Sequence, residues 1–372
     1  MKLSPALYAP FPGGRQLGQD EAARAADILL AQSPYRYYGI SSRRECDQLE
    51  RSLARILNVT FCQVVSSGSA ALHAALSAIG VTAGDEVILP AYGWVSDLMA
   101  VISCGAVPVI CPVDRSLGLC AQTIHKAISP RTKAIIAIHM RGFPCDIEAI
   151  KLAAGSVPIV EDCAQSLGAF VNGRSVGSFG AMGAFSFQFN KLITGGEGGA
   201  VATSNPAIFN YVRAFQDLGL DREAGHGDPV GVGSLKMRGF NYRMSEVTAG
   251  ILNVQLSKID VILNKLKENF ELGTEELTAA FPRLHPCIVK NGHSPNRAFI
   301  VLIGDNIADV KSSISFLNEQ GIKAQSCGVK DPHHFRVWES FLREQGIEYK
   351  VFEAERAEDT LDCSLYVEVS ST

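Results

Sequence analysis

The segment GAFSFQFNKLITGGEGG, residues 183–199, sets Lys191 between an apolar strand and a glycine-dense turn. Burial beside such a strand lowers an amine's pKa because desolvation disfavours the ammonium, which makes Lys191 a candidate nucleophile able to form a Schiff base. A surface lysine beside a glycine-rich loop is the plain alternative, and the segment alone does not separate the two. Its neighbours do. Upstream, VPIVED (residues 157–162) reads as a short buried strand ending in two carboxylates, and SSGSAA (residues 66–71) is a turn that opens a helix.

Outward from this segment, short β-branched runs alternate with amphipathic stretches. Strands are predicted at 61–65, 86–89, 107–111, 134–139, 158–161, 183–187 and 199–203, and helices at 69–79, 94–104, 120–128 and 145–154. Strands alternating with helices make βαβ units, so the expected fold class is α/β, with a mostly parallel seven-stranded sheet flanked by helices. Ligands of such sheets gather at the carboxyl ends of the strands. Residues 217–239 read as a long functional loop, and Ser245 to Leu266 as one helix with a cap at Met244-Ser245-Glu246. A strand at 298–303, a helix at 308–320 and a strand at 323–326 then suggest a smaller C-terminal α+β domain. The expected domains are 1–255 and 256–372.

With 372 residues, 47% hydrophobic and 19% charged, the chain has enough apolar content for one large core and a smaller one, and is neither disordered nor fibrous. A net charge of -4 without any Lys/Arg block argues against nucleic acid or anionic lipid as partner and for a small molecule. The N-terminal stretch holds two prolines and no apolar core of signal-peptide length, and no 18-residue apolar run exists, so a cytoplasmic protein outside the membrane is expected. Ten cysteines lie scattered without a C-x-x-C pair, which suits reduced, buried thiols. No metal site is expected: His333 and His334 are adjacent, point in different directions, and read as surface or interface residues.

Taken together, the segments suit pyridoxal 5'-phosphate. That cofactor needs a lysine for its aldehyde, a carboxylate for its ring nitrogen, an anion site for its phosphate, a surface for its ring and a partner for its phenolic oxygen. Lys191 supplies the amine. Asp162 would keep the ring nitrogen protonated through a charge-assisted hydrogen bond, with Glu161 pointing to the opposite face. Gly68, Ser69 and Ala70 offer the free amides of a helix's first turn, and Ser186 a second hydroxyl, for the phosphate. Each has a plainer reading: a strand-end aspartate as a cap, a Ser-Gly-Ser turn as a cap, Ser186 as a small core residue. Trp94 follows a strand where its indole could stack on the ring or simply pack in the core, and Gln165 could reach the cofactor's oxygen.

The chain resembles the DegT/StrS-type family of pyridoxal phosphate-dependent sugar aminotransferases, which share the aspartate aminotransferase fold (type I). The resemblance rests on YRYYG (35–39), SGSAAL (67–72), GDEVILP (84–90), GAVPV (105–109), EDCAQ (161–165), FSFQFNK (185–191), GEGG (196–199) and GFNYRMSE (239–246). It implies that Lys191 is the Schiff-base lysine, Asp162 the ring-nitrogen partner, Ser69 and Ser186 phosphate ligands, and Trp94 the stacking residue. It also implies that Asn241, otherwise a turn residue, reaches the phosphate of the neighbouring subunit's cofactor, hence a homodimer with shared active sites. Tyr37 and Tyr38 become candidate substrate contacts. Relatives that act as sugar dehydratases carry histidine in place of the lysine, so Lys191 favours transamination from glutamate or glutamine to a keto-sugar or keto-cyclitol in amino-sugar or natural-product biosynthesis. The alternatives are an elimination, cyclisation or aromatising enzyme like the aminohydroxybenzoate synthases, and a non-catalytic sensor. Two departures stand out: Gln216 replaces the histidine often found before Asp-Leu-Gly, and residues 364–372 lack the usual Leu-Pro step and terminal helix.

Overall fold

The computed structural model describes residues 3–41, 44–221 and 235–372. In chain order, α1 (Gln19–Leu30) and α2 (Glu45–Leu57) precede β1 (Phe61–Val65), α3 (Gly68–Ile79), β2 (Glu86–Pro90), α4 (Val95–Ser103) and β3 (Val107–Cys111). Next come α5 (Ala121–Ala127), β4 (Thr132–Ile138), α6 (Ile147–Ala154), β5 (Ile159–Asp162), the ribbon strands β6 (Phe170–Val171) and β7 (Arg174–Ser175), β8 (Met182–Ser186), β9 (Gly199–Thr203) and α7 (Pro206–Phe215). The remainder holds α8 (Glu246–Ser257), α9 (Ile259–Ala280), β10 (Leu284–Pro286), β11 (His293–Ser294), β12 (Phe299–Gly304), α10 (Ile307–Glu319) and β13 (Ala324–Ser326). It ends with α11 (Phe335–Glu344), β14 (Lys350–Val351), α12 (Glu358–Asp362) and β15 (Ser364–Glu368).

The main sheet has the order β1-β9-β8-β5-β4-β2-β3-β14. All neighbours are parallel except β9, which runs against both β1 and β8. The seven expected strands are all present, and the eighth, β14, pairs Lys350 with Val109 and Val351 with Ile110. Alternate residues enter opposite faces, as the two-residue period of a strand demands. Ile88, Val109, Ile135 and Ala137 pack with Leu49, Leu53, Ile124 and Ile150 from α2, α5 and α6. Val87, Leu89, Ile110 and Ile136 pack with Ala71, Ala74, Leu98 and Val101 from α3 and α4. Both faces are therefore dry, which is why these strands read as unbroken apolar runs.

A second sheet, β10-β12-β15-β13, is antiparallel throughout, with β15 central and α10 packed on it. The single helix expected over 245–266 is two helices, α8 and α9, that meet at Lys258 (φ -97°, ψ 1°). The apolar spacing runs on through the bend, so it carries no sign of it. The Lys258 ammonium is drawn to Asp20 at 3.1 Å and Glu21 at 2.9 Å on α1. Of the loop expected over 217–239, residues 222–234 lie outside the described residues. All ten cysteines are unpaired. Among the described residues no helix is long and apolar enough to cross a membrane.

Candidate active site

β1, β2, β4, β5 and β8 point the same way, so their carboxyl ends open on one edge. The residues that follow them line a cavity of about 220 Å³: Gly68 and Ser69 after β1, Trp94 after β2, His139 and Met140 after β4, Asp162 and Gln165 at β5, Ser186 and Lys191 at β8. The structure thus brings together seven of the residues expected from sequence: Gly68, Ser69, Trp94, Asp162, Gln165, Ser186 and Lys191.

One end of the cavity is formed by a helix N-terminus and two serine hydroxyls. Ser67 caps α3, its Oγ accepting the N–H of Ala70 at 3.1 Å. Ala70 is therefore committed to the cap and does not line the cavity, while Gly68 and Ser69 occupy first-turn positions whose amides have no partner within the helix. Gly68 must be glycine here: a Cβ would come 2.8 Å from Ser186 Cβ and 3.1 Å from Ser186 Oγ. The absent side chain is what lets the helix N-terminus and the Ser186 hydroxyl approach each other this closely.

Asp162 and Lys191 face the other end. Asp162 is buried at the tip of β5, its Oδ1 accepting the Ala164 N–H at 2.8 Å. Burial pushes its carboxyl up, opposed by that hydrogen bond and by Lys191. Lys191 sits in a turn closed by its N–H to the Gln188 carbonyl at 2.9 Å, and its own carbonyl accepts the Gly13 N–H at 3.0 Å. Burial lowers the Lys191 ammonium and Arg141 adds to the effect, against the pull of Asp162. Glu161 points away, as expected, into a knot where it accepts Gly177 N–H at 2.8 Å, Phe179 and Gly180 N–H at 2.6 Å each, and meets His139 Nε2 at 3.0 Å. His139, Glu161 and Cys163 lie close enough to hold a metal ion, but Glu161 is already spent on this knot.

A second cavity, of about 190 Å³, shares Trp94, Gln165, Gln188 and Lys191 with the first and continues to Arg141, Asn296, His333 and Glu368. Sequence reasoning missed these last four. The Arg141 guanidinium carbon sits over the Tyr366 ring, 3.6 Å from its centre, and the guanidinium donates to Tyr92 Oη at 3.0 Å and Asp331 Oδ2 at 3.2 Å. His333 and His334, read from sequence as surface or interface residues, are not at the surface. They do point in different directions, but both are inward: His333 lines the second cavity with Nδ1 2.6 Å from Asp331 Oδ1, and His334 is buried as the N-cap of α11. Trp94, 45% exposed, has its ring 4.9 Å from that of His333. Tyr37, Tyr38 and Asn241 line neither cavity. Tyr37 Oη accepts from the amide of the buried Gln216 at 2.6 Å, while Tyr38 and Asn241 are exposed.

A half-buried amine and a buried carboxylate facing a cavity that ends in a helix N-terminus and two hydroxyls define the class: a protein built to hold pyridoxal 5'-phosphate. The cradle that a Cβ at position 68 would fill fits the phosphate, Asp162 the ring nitrogen and Lys191 the aldehyde. The chain belongs to the DegT/DnrJ/EryC1/StrS aminotransferase family, whose profile matches residues 32–359, and its cofactor is pyridoxal phosphate. It is 33% identical over 250 residues to GDP-perosamine synthase of Vibrio cholerae, covering 66% of each chain. It is 38% identical over 247 residues to L-glutamine:2-deoxy-scyllo-inosose aminotransferase of Streptomyces kanamyceticus, covering 64% of this chain and 56% of that one. The chain thus spans between about half and two thirds of the length of these curated relatives. The fold is that of an aminotransferase from Psychrobacter cryohalolentis, with a TM-score of 0.84 at 24% identity over 98% of this chain and 94% of the other.

Proposed function

We propose that the protein moves an amino group from an amino-acid donor, glutamate or glutamine, to a keto-sugar or keto-cyclitol during the biosynthesis of an amino sugar or related natural product. The observation that carries this reading is the place of Lys191 in the wall common to both cavities, between the cofactor pocket on one side and the polar mouth on the other. The names of the relatives, a perosamine synthase and a glutamine-dependent inosose aminotransferase, support the donor and acceptor classes.

Pyridoxal phosphate, when bound, supplies an aldehyde that condenses with amines and a ring that takes up the electron pair left on the adjacent carbon. The chain does the rest. Asp162 holds a proton at the ring nitrogen, Gly68, Ser69 and Ser186 anchor the phosphate, and Trp94 covers the ring. Lys191 Nζ, whose ammonium form burial disfavours, takes the proton from the donor's α-carbon and delivers one to the acceptor carbon that receives nitrogen. Arg141, His333 and Glu368 give the mouth polar groups suited to a polyhydroxylated acceptor, while Asn296 is committed to the Gln165 and Leu167 carbonyls and the Ala298 N–H.

The protein acts as a homodimer with shared sites, Asn241 of each chain reaching the other's cofactor phosphate, and Tyr37 and Tyr38 contact the substrate. Exposure of Tyr38 and Phe240, 46% and 45%, beside residues that line no cavity of their own chain supports this arrangement. The unpaired cysteines support a cytoplasmic location. The test is spectroscopic: glutamate or glutamine added to the purified protein is expected to convert the bound cofactor to its amino form, and a keto-sugar or keto-cyclitol to reverse the change. A spectrum unmoved by either donor overturns the reading.

A further inference from the structure

Behind Asp162 lies a second acid that the chemistry above does not use. Asp97, in the first turn of α4, is fully buried, and among the described residues neither of its carboxyl oxygens has a hydrogen-bond donor. The polar group it meets is another acceptor, the Asp162 carboxyl. Two ionised carboxylates in contact in a dry interior repel strongly, and such pairs hold one proton between them. A single proton turns this contact into a hydrogen bond and satisfies both acids.

The surroundings decide which acid carries the proton. Asp162 accepts the Ala164 N–H and faces two groups that favour its ionised form, Lys191 and His139. On Asp97 only the backbone amides of Asp97 itself and of Trp94 act in the same sense, and Lys191 feels it only weakly; burial and the neighbouring Asp162 outweigh them and hold its carboxyl well above the usual carboxylate range. We propose that Asp97 is a positioning residue, kept as a neutral carboxylic acid that donates its proton to Asp162 and so fixes the ionised Asp162 toward the cofactor's ring nitrogen. Asp97 thereby occupies an Asp162 lone pair that would otherwise be free to rotate the carboxylate out of line, and tempers its basicity toward the ring proton. At the level of sequence this residue is hidden, because an acid in the first turn of a helix is already accounted for by the helix dipole.

The inference rests on the cofactor reading, yet its first test does not. Infrared spectra of the full chain without added cofactor, compared between the parent and Asp97→Asn, are expected at neutral pH to show the carbonyl stretch of an un-ionised carboxylic acid that is lost in Asp97→Asn. No lost band means that Asp97 is ionised, and the proposal fails whatever the protein's reaction. The second test compares two variants by cofactor titration. Asp97→Asn keeps a donor and is expected to bind pyridoxal phosphate within about threefold of the parent. Asp97→Leu removes the donor and is expected to weaken binding about tenfold or more, the worth of one hydrogen bond to a charged group. The parent should also show an alkaline step in cofactor affinity, from ionisation of Asp97, that is missing in Asp97→Asn. Equal affinities in the two variants, or an unchanged alkaline step, overturn the positioning role. Should Asp97→Leu not fold, the infrared band and the alkaline step of the Asn variant still decide.

Discussion

Gly68 and Ser186 touch across the gap between α3 and β8, at a separation that only a glycine permits. Ala at position 68 would set a Cβ 2.8 Å from Ser186 Cβ and force apart the two groups proposed to hold the phosphate. Overpacking of this kind costs about 1–3 kcal/mol. Gly68→Ala is therefore expected to keep its fold, seen by circular dichroism, and to bind pyridoxal phosphate at least about tenfold more weakly by fluorescence titration. Unchanged affinity would place the phosphate elsewhere.

Removing the amine of Lys191 tests the covalent step directly. Lys191→Ala is expected to lose the cofactor label that borohydride fixes on the peptide containing residue 191, and to lose turnover by at least the factor of about 10²–10⁴ typical of a general base. Peptide mapping by mass spectrometry reads the first outcome. A label on another lysine would mean that the catalytic amine has been misassigned.

Asp162→Asn separates binding from chemistry. The amide preserves the shape of the carboxylate and a hydrogen bond to the ring, so the cofactor stays bound, but the ring nitrogen loses the charge that keeps it protonated. Turnover is expected to fall by orders of magnitude while cofactor content at saturation stays near the parent's. Parent-like turnover in this variant contradicts the role given to Asp162.

The sequence made the frame legible because its signals are local. Each strand of the main sheet is a β-branched run bounded by turn residues, and Lys191, Asp162 and Ser69 sit at strand ends where ligands gather. What stayed hidden depends on contacts distant in sequence. β14 has two residues and exists only because Val109 and Ile110 offer an open edge. Lys258 bends a helix whose apolar spacing is continuous, because its partners lie on α1. Arg141 and His333 meet at the second cavity from positions 192 residues apart, and their only shared signal is the Asp331 carboxylate that both contact. No periodicity announces such a meeting.

That carboxylate makes Arg141 costly to remove. The Arg141 and Asp331 side chains are both buried, and the pair is 3.2 Å apart. Arg141→Met keeps the stacking volume on Tyr366 and leaves Asp331 with only Tyr92 Oη and His333 as partners. Breaking one side of a buried pair costs about 3–5 kcal/mol, and the remaining hydrogen bonds place the expected loss at the lower end. Urea unfolding of the parent and the variant measures it; a loss under about 1 kcal/mol would show the charge on Asp331 to be satisfied without Arg141.

The same network sets an acid limit on stability. Burial first, then Arg141, push the His333 imidazole down to about 4 from an ordinary 6.5. As pH falls below 6.5 the unfolded chain takes up a proton at this ring, whereas the folded protein does not until near pH 4. The unfolded state thus binds more protons across that window, and stability falls with pH through it, by up to about 3 kcal/mol. The contribution is complete above pH 6.5 and exhausted below 4. His334, lowered by burial as well, adds a slope that a change at position 333 leaves in place. His333→Gln is therefore expected to show a shallower decline of unfolding free energy between pH 6.5 and 4 than the parent, with the difference vanishing at pH 8 once the constant cost of the substitution is subtracted. Parallel curves across the whole range would mean that His333 titrates normally and that the pocket around it is wetter than its burial indicates.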